Sequence, residues 1–322
     1  GLHRRLHSQV TGSEKYRFDD RVAVVTGAGR GLGRSYAHLL GRLGAKVVVN
    51  DFGGSIDGIG GDVDPARAVA KEIEEAGGEA VADASDVSTE AGGRNPIELA
   101  IATYGRVDIV INNAGITRPM GLPDVDIDNI ERILAVHVKG AFNTIRAAWP
   151  HLVSQGYGRV VNTSSIAMFG SVDNLGYATA KSAMIGMARS MSASAKDLDI
   201  KVNVIAPNAL TRMATGSPSK GLNELREQRS ASAPVGMEPE LVAPMVGYLA
   251  HQDCNVSGEV YIAGGGRFAH MFVGMTEGYL PDRPEDVTIN DVANHLAEIK
   301  DPSGYYVPTS LADSARRYMA HR

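Results

Sequence analysis

The chain has 322 residues and a mass of 34.0 kDa, enough for one large α/β domain with a sizeable core. Its 43% hydrophobic and 21% charged residues exclude a largely disordered chain. A formal net charge of -5 speaks against a nucleic-acid partner. The single cysteine, Cys254, excludes an intrachain disulfide and a cysteine metal site. No apolar run nears the ~18 residues of a membrane span.

Residues 1–16 are polar, lack a clear period and are read as a flexible arm. From Arg21 onward short β-branched runs alternate with helical patterns. The runs at 22–26, 46–50, 80–84, 108–112, 159–163, 201–205 and 259–263 predict seven strands. Each is near-continuously apolar, as in a parallel sheet covered on both faces. Helical patterns lie near 31–43, 65–76, 89–104, 127–153, 175–196 and 238–250. The alternation predicts an α/β fold of the Rossmann type, a doubly wound seven-stranded parallel sheet, with 17–322 as one catalytic domain. Three segments interrupt the rhythm: a Gly/Asp-rich insert from Gly53 to Asp64, a polar excursion at 208–236, and a C-terminal extension at 265–322. Long loops in a compact domain are usually lids or mobile. The extension carries a weak amphipathic helix near 288–300.

The first strand runs into Thr26-Gly27-Ala28-Gly29-Arg30-Gly31-Leu32-Gly33 and then a helical pattern. Glycines let a backbone turn tightly and approach a pyrophosphate, and a helix start offers free N–H groups to it. Gly27, Arg30, Gly31, Leu32 and Gly33 are the expected phosphate contacts. Asp51 lies 18 residues after Gly33, near the spacing of about 20 expected for the acid that holds the adenosine ribose. Its charge repels a 2′-phosphate and points to NAD rather than NADP, while the Arg30 guanidinium pulls the other way. Asp86 and Val87 follow the third strand, where an adenine would be gripped. Asn113, Ala114 and Gly115 close the fourth strand on the same cleft.

Tyr177 and Lys181 stand four apart, on one face of a helix. A tyrosine normally ionises near pH 10, and a neighbouring ammonium stabilises its phenolate. That makes Tyr177 a base toward an alcohol or an acid toward a ketone. Ser164 and Ser165 end the fifth strand, and one hydroxyl would hold the substrate oxygen. Aspartates of the insert lack calcium-loop spacing, and the histidines are too scattered for zinc, so no metal is expected.

TGAGRGLG, NNAG, a serine pair and YATAK, in this order, resemble the short-chain dehydrogenase/reductase family over about residues 18–265. The resemblance implies hydride transfer between nicotinamide and a carbonyl or secondary alcohol. It gives Tyr177 the acid–base role and has Lys181 lower its pKa and hold the nicotinamide ribose. Asn113 and Gly115 become cofactor contacts. NDFGG, VHVKG, RAAWPHL and PNALTRM further resemble the (3R)-hydroxyacyl-CoA dehydrogenase part of peroxisomal multifunctional enzyme type two. Within PNALTRM, Pro207 and Thr211 join the cofactor set.

Two departures stand out. His137 replaces the family's relay asparagine, and as a group that donates, accepts and titrates it is a candidate catalytic residue. The serine-to-tyrosine gap of 13 selects Ser164, whereas counting along strand five from Gly158 selects Ser165, which is favoured because a strand resists deletion. The expected enzyme uses NAD on a 3-hydroxyacyl-CoA, with a steroid or other secondary alcohol as the alternative. A non-catalytic nucleotide-binding redox sensor is the competing class. The resemblance implies a homodimer or homotetramer, whose subunit contact would use the small-residue helix at 178–195. The cysteine count fits a cytoplasmic location.

Overall fold

Each apolar run becomes a strand because β-branched side chains, stiff at χ1, pack well on both faces of a pleated sheet. The computed structural model describes residues 14–209 and 236–320. Its strands are β1 Val22–Val25, β2 Lys46–Asn50, β3 Glu79–Asp83, β4 Ile109–Asn112, β5 Tyr157–Thr163, β6 Asp199–Pro207, β7 Val260–Gly264 and β8 Arg267–Met271. They form one sheet in the order β3-β2-β1-β4-β5-β6-β7-β8. The pairs from β3 across to β7 are all parallel. β1, β4 and β5 are buried along their whole length, which is why they read as unbroken apolar runs.

Seven strands were expected and the sheet has eight. After β7, Gly265 and Gly266 take φ of +59° and +81°, the paired positive values of a two-residue hairpin turn. A link this short permits only an antiparallel neighbour. β8 (RFAHM) is an edge strand with Arg267 and Phe268 exposed, so it lacks the apolar signature of the inner strands and reads as the start of the extension.

The helices that cover the sheet are α1 Gly31–Arg42, α2 Asp64–Glu75, α3 Glu90–Tyr104, α4 Ile127–Leu134, α5 Gly140–Gln155, α6 Leu175–Ser194 and α7 Ala243–Ala250. The single helix expected over 127–153 is interrupted by a π-helical turn at Ala135–Lys139. His137 sits in the middle of this turn, buried, with Nε2 2.8 Å from the Ile116 carbonyl oxygen. An extra residue in a helical turn re-aims its side chain, and such bulges recur at functional sites.

At the opposite end of the sheet Arg159 is fully buried. Its guanidinium donates to the carbonyls of His251, Asp199 and Gln252, each at 2.9 Å, and pairs with the Asp199 carboxylate. A buried charge persists only when it is satisfied in this way.

Strand order reverses between β1 and β4, and ligands of open α/β sheets bind outside the carboxyl ends of the strands at such a switch. Topology alone therefore directs attention to the turns after Val25 and Asn112.

The chain divides into two compact units between His270 and Met271. The second contains α8 Ile289–Asn294, α9 Leu296–Lys300 and α10 Leu311–Tyr318. Thr288 and Asp291 form a reciprocal capping box at the start of α8. The one helix expected near 288–300 is thus two, broken at His295, whose ring stacks on Tyr279 at 3.7 Å. Among the described residues no helix is long and apolar enough to cross a membrane.

Candidate active site

The turn after β1 is held to the turn after β4. The buried Thr26 hydroxyl accepts from the backbone N–H groups of Asn113 and Ala114, both at 3.0 Å. The Asn113 amide donates to the Gly27 carbonyl at 3.1 Å. Gly27 has φ +60°, and a Cβ there would lie 2.8 Å from the Ala114 Cα, so only glycine fits this approach. Arg30 precedes α1 in extended conformation with no side-chain cap, which leaves the first N–H donors of α1 open to the cleft. Gly33 has a different part: a Cβ there would lie 2.3 Å from the Gly27 carbonyl oxygen, so it allows helix and turn to pack rather than facing the cleft.

Asp51 closes one wall. Its carboxylate accepts from Gly29 N–H at 2.8 Å and Gly53 N–H at 2.7 Å. A carboxylate has about four acceptor positions, so two remain for a diol. Behind it Asn50 donates to Asp83 at 2.7 Å and to the Ser85 carbonyl at 3.1 Å, which fixes the turn that carries Asp86 and Val87. The cleft brings together Gly27, Arg30, Gly31, Leu32, Asp51, Asp86, Val87, Asn113, Ala114 and Gly115. Motif reading missed Ser85, Arg132 and the insert residues Phe52, Gly54, Ser55, Ile56 and Gly58, which line it as well. The length of the insert hints at a wall; nothing marks Arg132. Open N–H donors, glycine backbone and an acid with spare lone pairs fit a dinucleotide.

The second cluster adjoins the first through Gly115, where a Cβ would lie 2.5 Å from His137 Cε1. The His137 ring meets the Tyr177 ring edge-on at 5.4 Å. Tyr177 and Lys181 occupy the first two turns of α6. Lys181 is buried, its Nζ donates to the Thr163 carbonyl at 3.0 Å, and it lies 5.5 Å from the Tyr177 ring centre. Burial pushes the lysine down to about 7. Burial also raises Tyr177, opposed by a hydrogen bond with the Ser165 side chain. Ser164 is turned away: its hydroxyl donates to the Lys181 carbonyl at 2.7 Å. Burial holds His137 well below the usual histidine range, and the Lys181 charge adds to this. Its Nδ1 has no hydrogen-bond partner among the described residues. Pro207 ends β6, and Thr211 lies outside the described residues.

The short chain dehydrogenase family matches residues 21–220. A short-chain type dehydrogenase/reductase of Mycobacterium tuberculosis is 40% identical over 287 residues, which cover 88% of this chain and 96% of that protein. Peroxisomal multifunctional enzyme type 2 of Drosophila melanogaster is 40% identical over 90% of this chain. The chain spans 49% of that protein's length. Its full-length solved structure matches 95% of this chain and 50% of its own, with 31% identity and a TM-score of 0.74. A 7α-hydroxysteroid dehydrogenase solved with NADH and 7-oxo glycochenodeoxycholic acid matches 80% of this chain and 98% of its own, with 28% identity and a TM-score of 0.69.

Proposed function

Because the chain belongs to the short chain dehydrogenase family and is an oxidoreductase acting on CH–OH groups, we propose that it uses NAD to oxidise a 3-hydroxyacyl-CoA. The reading is carried by one arrangement: Tyr177, close to Lys181 and with its pKa drawn down by the Ser165 side chain, next to a cleft floored by Gly27 and Gly31 and walled by Asp51. Asp51 favours NAD because its charge would oppose a 2′-phosphate. The choice of acyl substrate rests on the likeness to multifunctional enzyme type 2.

Gly27, Arg30, Gly31, Leu32, Asp51, Asp86, Val87, Asn113, Ala114 and Gly115 would hold the dinucleotide, with Tyr177, Lys181 and Pro207 toward its nicotinamide end; Thr211, of the same expected set, lies outside the described residues. When bound, the dinucleotide supplies the hydride acceptor. Ser165 Oγ holds the substrate oxygen beside Tyr177. Tyr177 Oη accepts the hydroxyl proton as the carbinol carbon gives up its hydride, and in the reverse direction returns it to the ketone oxygen. The Lys181 ammonium offsets the phenolate charge, which the buried site would otherwise disfavour. His137, tied to Ile116 and edge-on to Tyr177, keeps the tyrosine ring aligned.

The test is turnover at the nicotinamide absorbance band with NAD or NADP against 3-hydroxyacyl-CoA and steroid alcohols. The expected result is NAD-linked oxidation of the acyl-CoA with a kcat/KM about tenfold or more above that with NADP. Turnover of steroids alone would favour the second reading, to which the 7α-hydroxysteroid dehydrogenase likeness points. NAD binding with no alcohol oxidised would make the protein a nucleotide sensor. The proposal extends to a homo-oligomer that uses the recess of α5 and α6 lined by Phe142, Trp149 and Met191. A cytoplasmic location rests only on the single thiol Cys254.

A further inference from the structure

We propose that Arg132 is a positioning residue that latches the Gly-rich insert across the dinucleotide cleft, so that the insert must open before the dinucleotide leaves. The proposal rests on the reading of that cleft as a dinucleotide site.

The insert is a closed loop. At its base Asp62 N–H donates to the Phe52 carbonyl at 2.9 Å. Gly53, at φ +71°, sits so close to Asp62 that a Cβ would lie 1.9 Å from its carbonyl oxygen. Inside the loop Ser55 N–H reaches the Ile59 carbonyl at 2.8 Å, and Gly58 N–H the Ser55 carbonyl at 2.9 Å. This base belongs to the β2 side of the cleft, next to Asp51.

The tip is fastened to the other side, on the β4–α4 connection and on α4. Thr117 N–H donates to the Ile56 carbonyl at 2.9 Å. Arg132 Nη2 donates to the Gly58 carbonyl at 2.9 Å. Gly58 has φ +88°, and a Cβ there would lie 3.0 Å from Ile116 and 3.3 Å from Arg132 Nη2, so glycine is what lets the tip seat. The loop therefore runs from one wall of the cleft to the other, and Ser55, Ile56, Gly58 and Arg132 face the same space as Gly31 and Asp51.

Besides these two bonds, the Asp57 carboxylate is drawn toward the Arg118 charge. Ile59, a large apolar residue of the tip, is exposed and adds no packing against opening, although Gly58 is buried. Of the two attachments described, one joins two backbones and the other has a charged donor, and charge-assisted bonds are about twice as strong as neutral ones. Among the described residues Arg132 has the Gly58 carbonyl as its partner and is in no ion pair. Its charge is therefore free to favour the closed loop further when a pyrophosphate occupies the cleft.

The experiment follows release of NADH from the full-length chain by stopped-flow fluorescence, in wild type, Arg132→Met, Arg132→Gln and Arg132→Lys. Loss of the latch is expected to raise the dissociation rate about tenfold in the Met and Gln variants, and Lys should restore much of it. The KM for NAD should rise in step. Single-turnover hydride transfer at saturating NAD should fall by a smaller factor than the dissociation rate rises. The Tm without nucleotide should be unchanged, and amides 55–59 should exchange faster. An unchanged release rate in whichever of Met and Gln folds overturns the latch, as does a release effect matched by an equal fall in nucleotide-free Tm. A wild type that binds neither NADH nor NADPH overturns the functional reading itself, which is a separate outcome.

Discussion

The Ser164 hydroxyl donates to the backbone carbonyl of Lys181 across 2.7 Å, and this bond divides the labour of the serine pair. Ser164 is buried, its own N–H is held by the Ile205 carbonyl at 2.7 Å, and it anchors α6 to the end of β5. Ser165 follows in extended backbone, so its side chain projects to the other side. There its side chain draws the Tyr177 pKa down against the rise that burial causes, and its oxygen accepts from Ala167 N–H at 3.1 Å.

Ser165→Ala should therefore lower kcat by about 10²-fold, the usual scale for a lost transition-state hydrogen bond. Ser164→Ala should leave kcat within a few-fold and cost about 1 kcal/mol of folding stability. Steady-state kinetics and urea unfolding on both variants separate the roles. The reverse ranking would move the substrate-holding role to Ser164.

Tyr177→Phe removes the hydroxyl but keeps the ring that meets His137 edge-on at 5.4 Å. Turnover should fall at least about 10²-fold while the affinity for NAD stays within about twofold, because only the proton-transfer group is lost. Titration of the variant with NADH by fluorescence, set beside its turnover, checks both halves. Retained turnover would place the acid–base group elsewhere.

Asp51→Asn removes the charge and leaves one acceptor oxygen where Gly29 N–H and Gly53 N–H each bond a different carboxylate oxygen. The preference for NAD over NADP should shrink by about tenfold, since it is charge repulsion that rejects the 2′-phosphate. The ratio of kcat/KM for the two dinucleotides measures it. A wild type that already prefers NADP would show that Arg30 outweighs Asp51.

His137 is held well below its usual range by burial and by the Lys181 charge, and Nε2 meets the Ile116 backbone. It should stay neutral at pH 6.5, where a free imidazole takes up its proton. Its ring signals in NMR should not shift as the pH falls through that value. A titration near 6.5 would mean that the ring takes up a proton from water and would end its assignment as a neutral aligning group.

What was legible in the residues was whatever depends on neighbours along the chain. The strands that flank the switch point are buried on both faces, so Val22–Val25 and Ile109–Asn112 announce themselves by composition. The glycine turn and the Tyr177–Lys181 spacing are likewise local. The π-helical turn is not, because it depends on His137 meeting Ile116, a contact made only after β4 and α4 have docked. β8 was hidden by its exposure, since an edge strand need not be apolar. Arg132 was hidden by distance: its partner Gly58 lies 74 residues earlier, and no spacing rule reaches that far. The serine pair could be read as a pair, but the side each hydroxyl takes was settled by the packing of α6 on β5.

Lys181 should weaken the fold that it serves. Its ammonium is buried among α6, Thr163 and Tyr177, and burial moves it from the ordinary lysine value of 10.5 to about 7. Below about pH 7 the folded protein has to keep that charge out of water. Between about 7 and 10.5 the folded group is neutral while the unfolded one is still protonated, so the unfolded state binds the extra proton and stability rises with pH. Lys181→Met removes the group and so removes this slope. At pH 6 the variant should be more stable than wild type, by about 2 kcal/mol once the lost bond to the Thr163 carbonyl is set against the relieved desolvation. The gap should narrow as pH rises from 7 toward 10, where the wild-type penalty disappears and only the lost hydrogen bond remains. Urea unfolding at pH 6, 8 and 10 gives the three points, and turnover of the variant should fall by at least about 10²-fold at pH 6, where the wild-type ammonium is present, and by less as pH rises past 7. A variant less stable than wild type at pH 6 would show that the ammonium is satisfied where it lies. The activity would then carry no cost in stability at this residue.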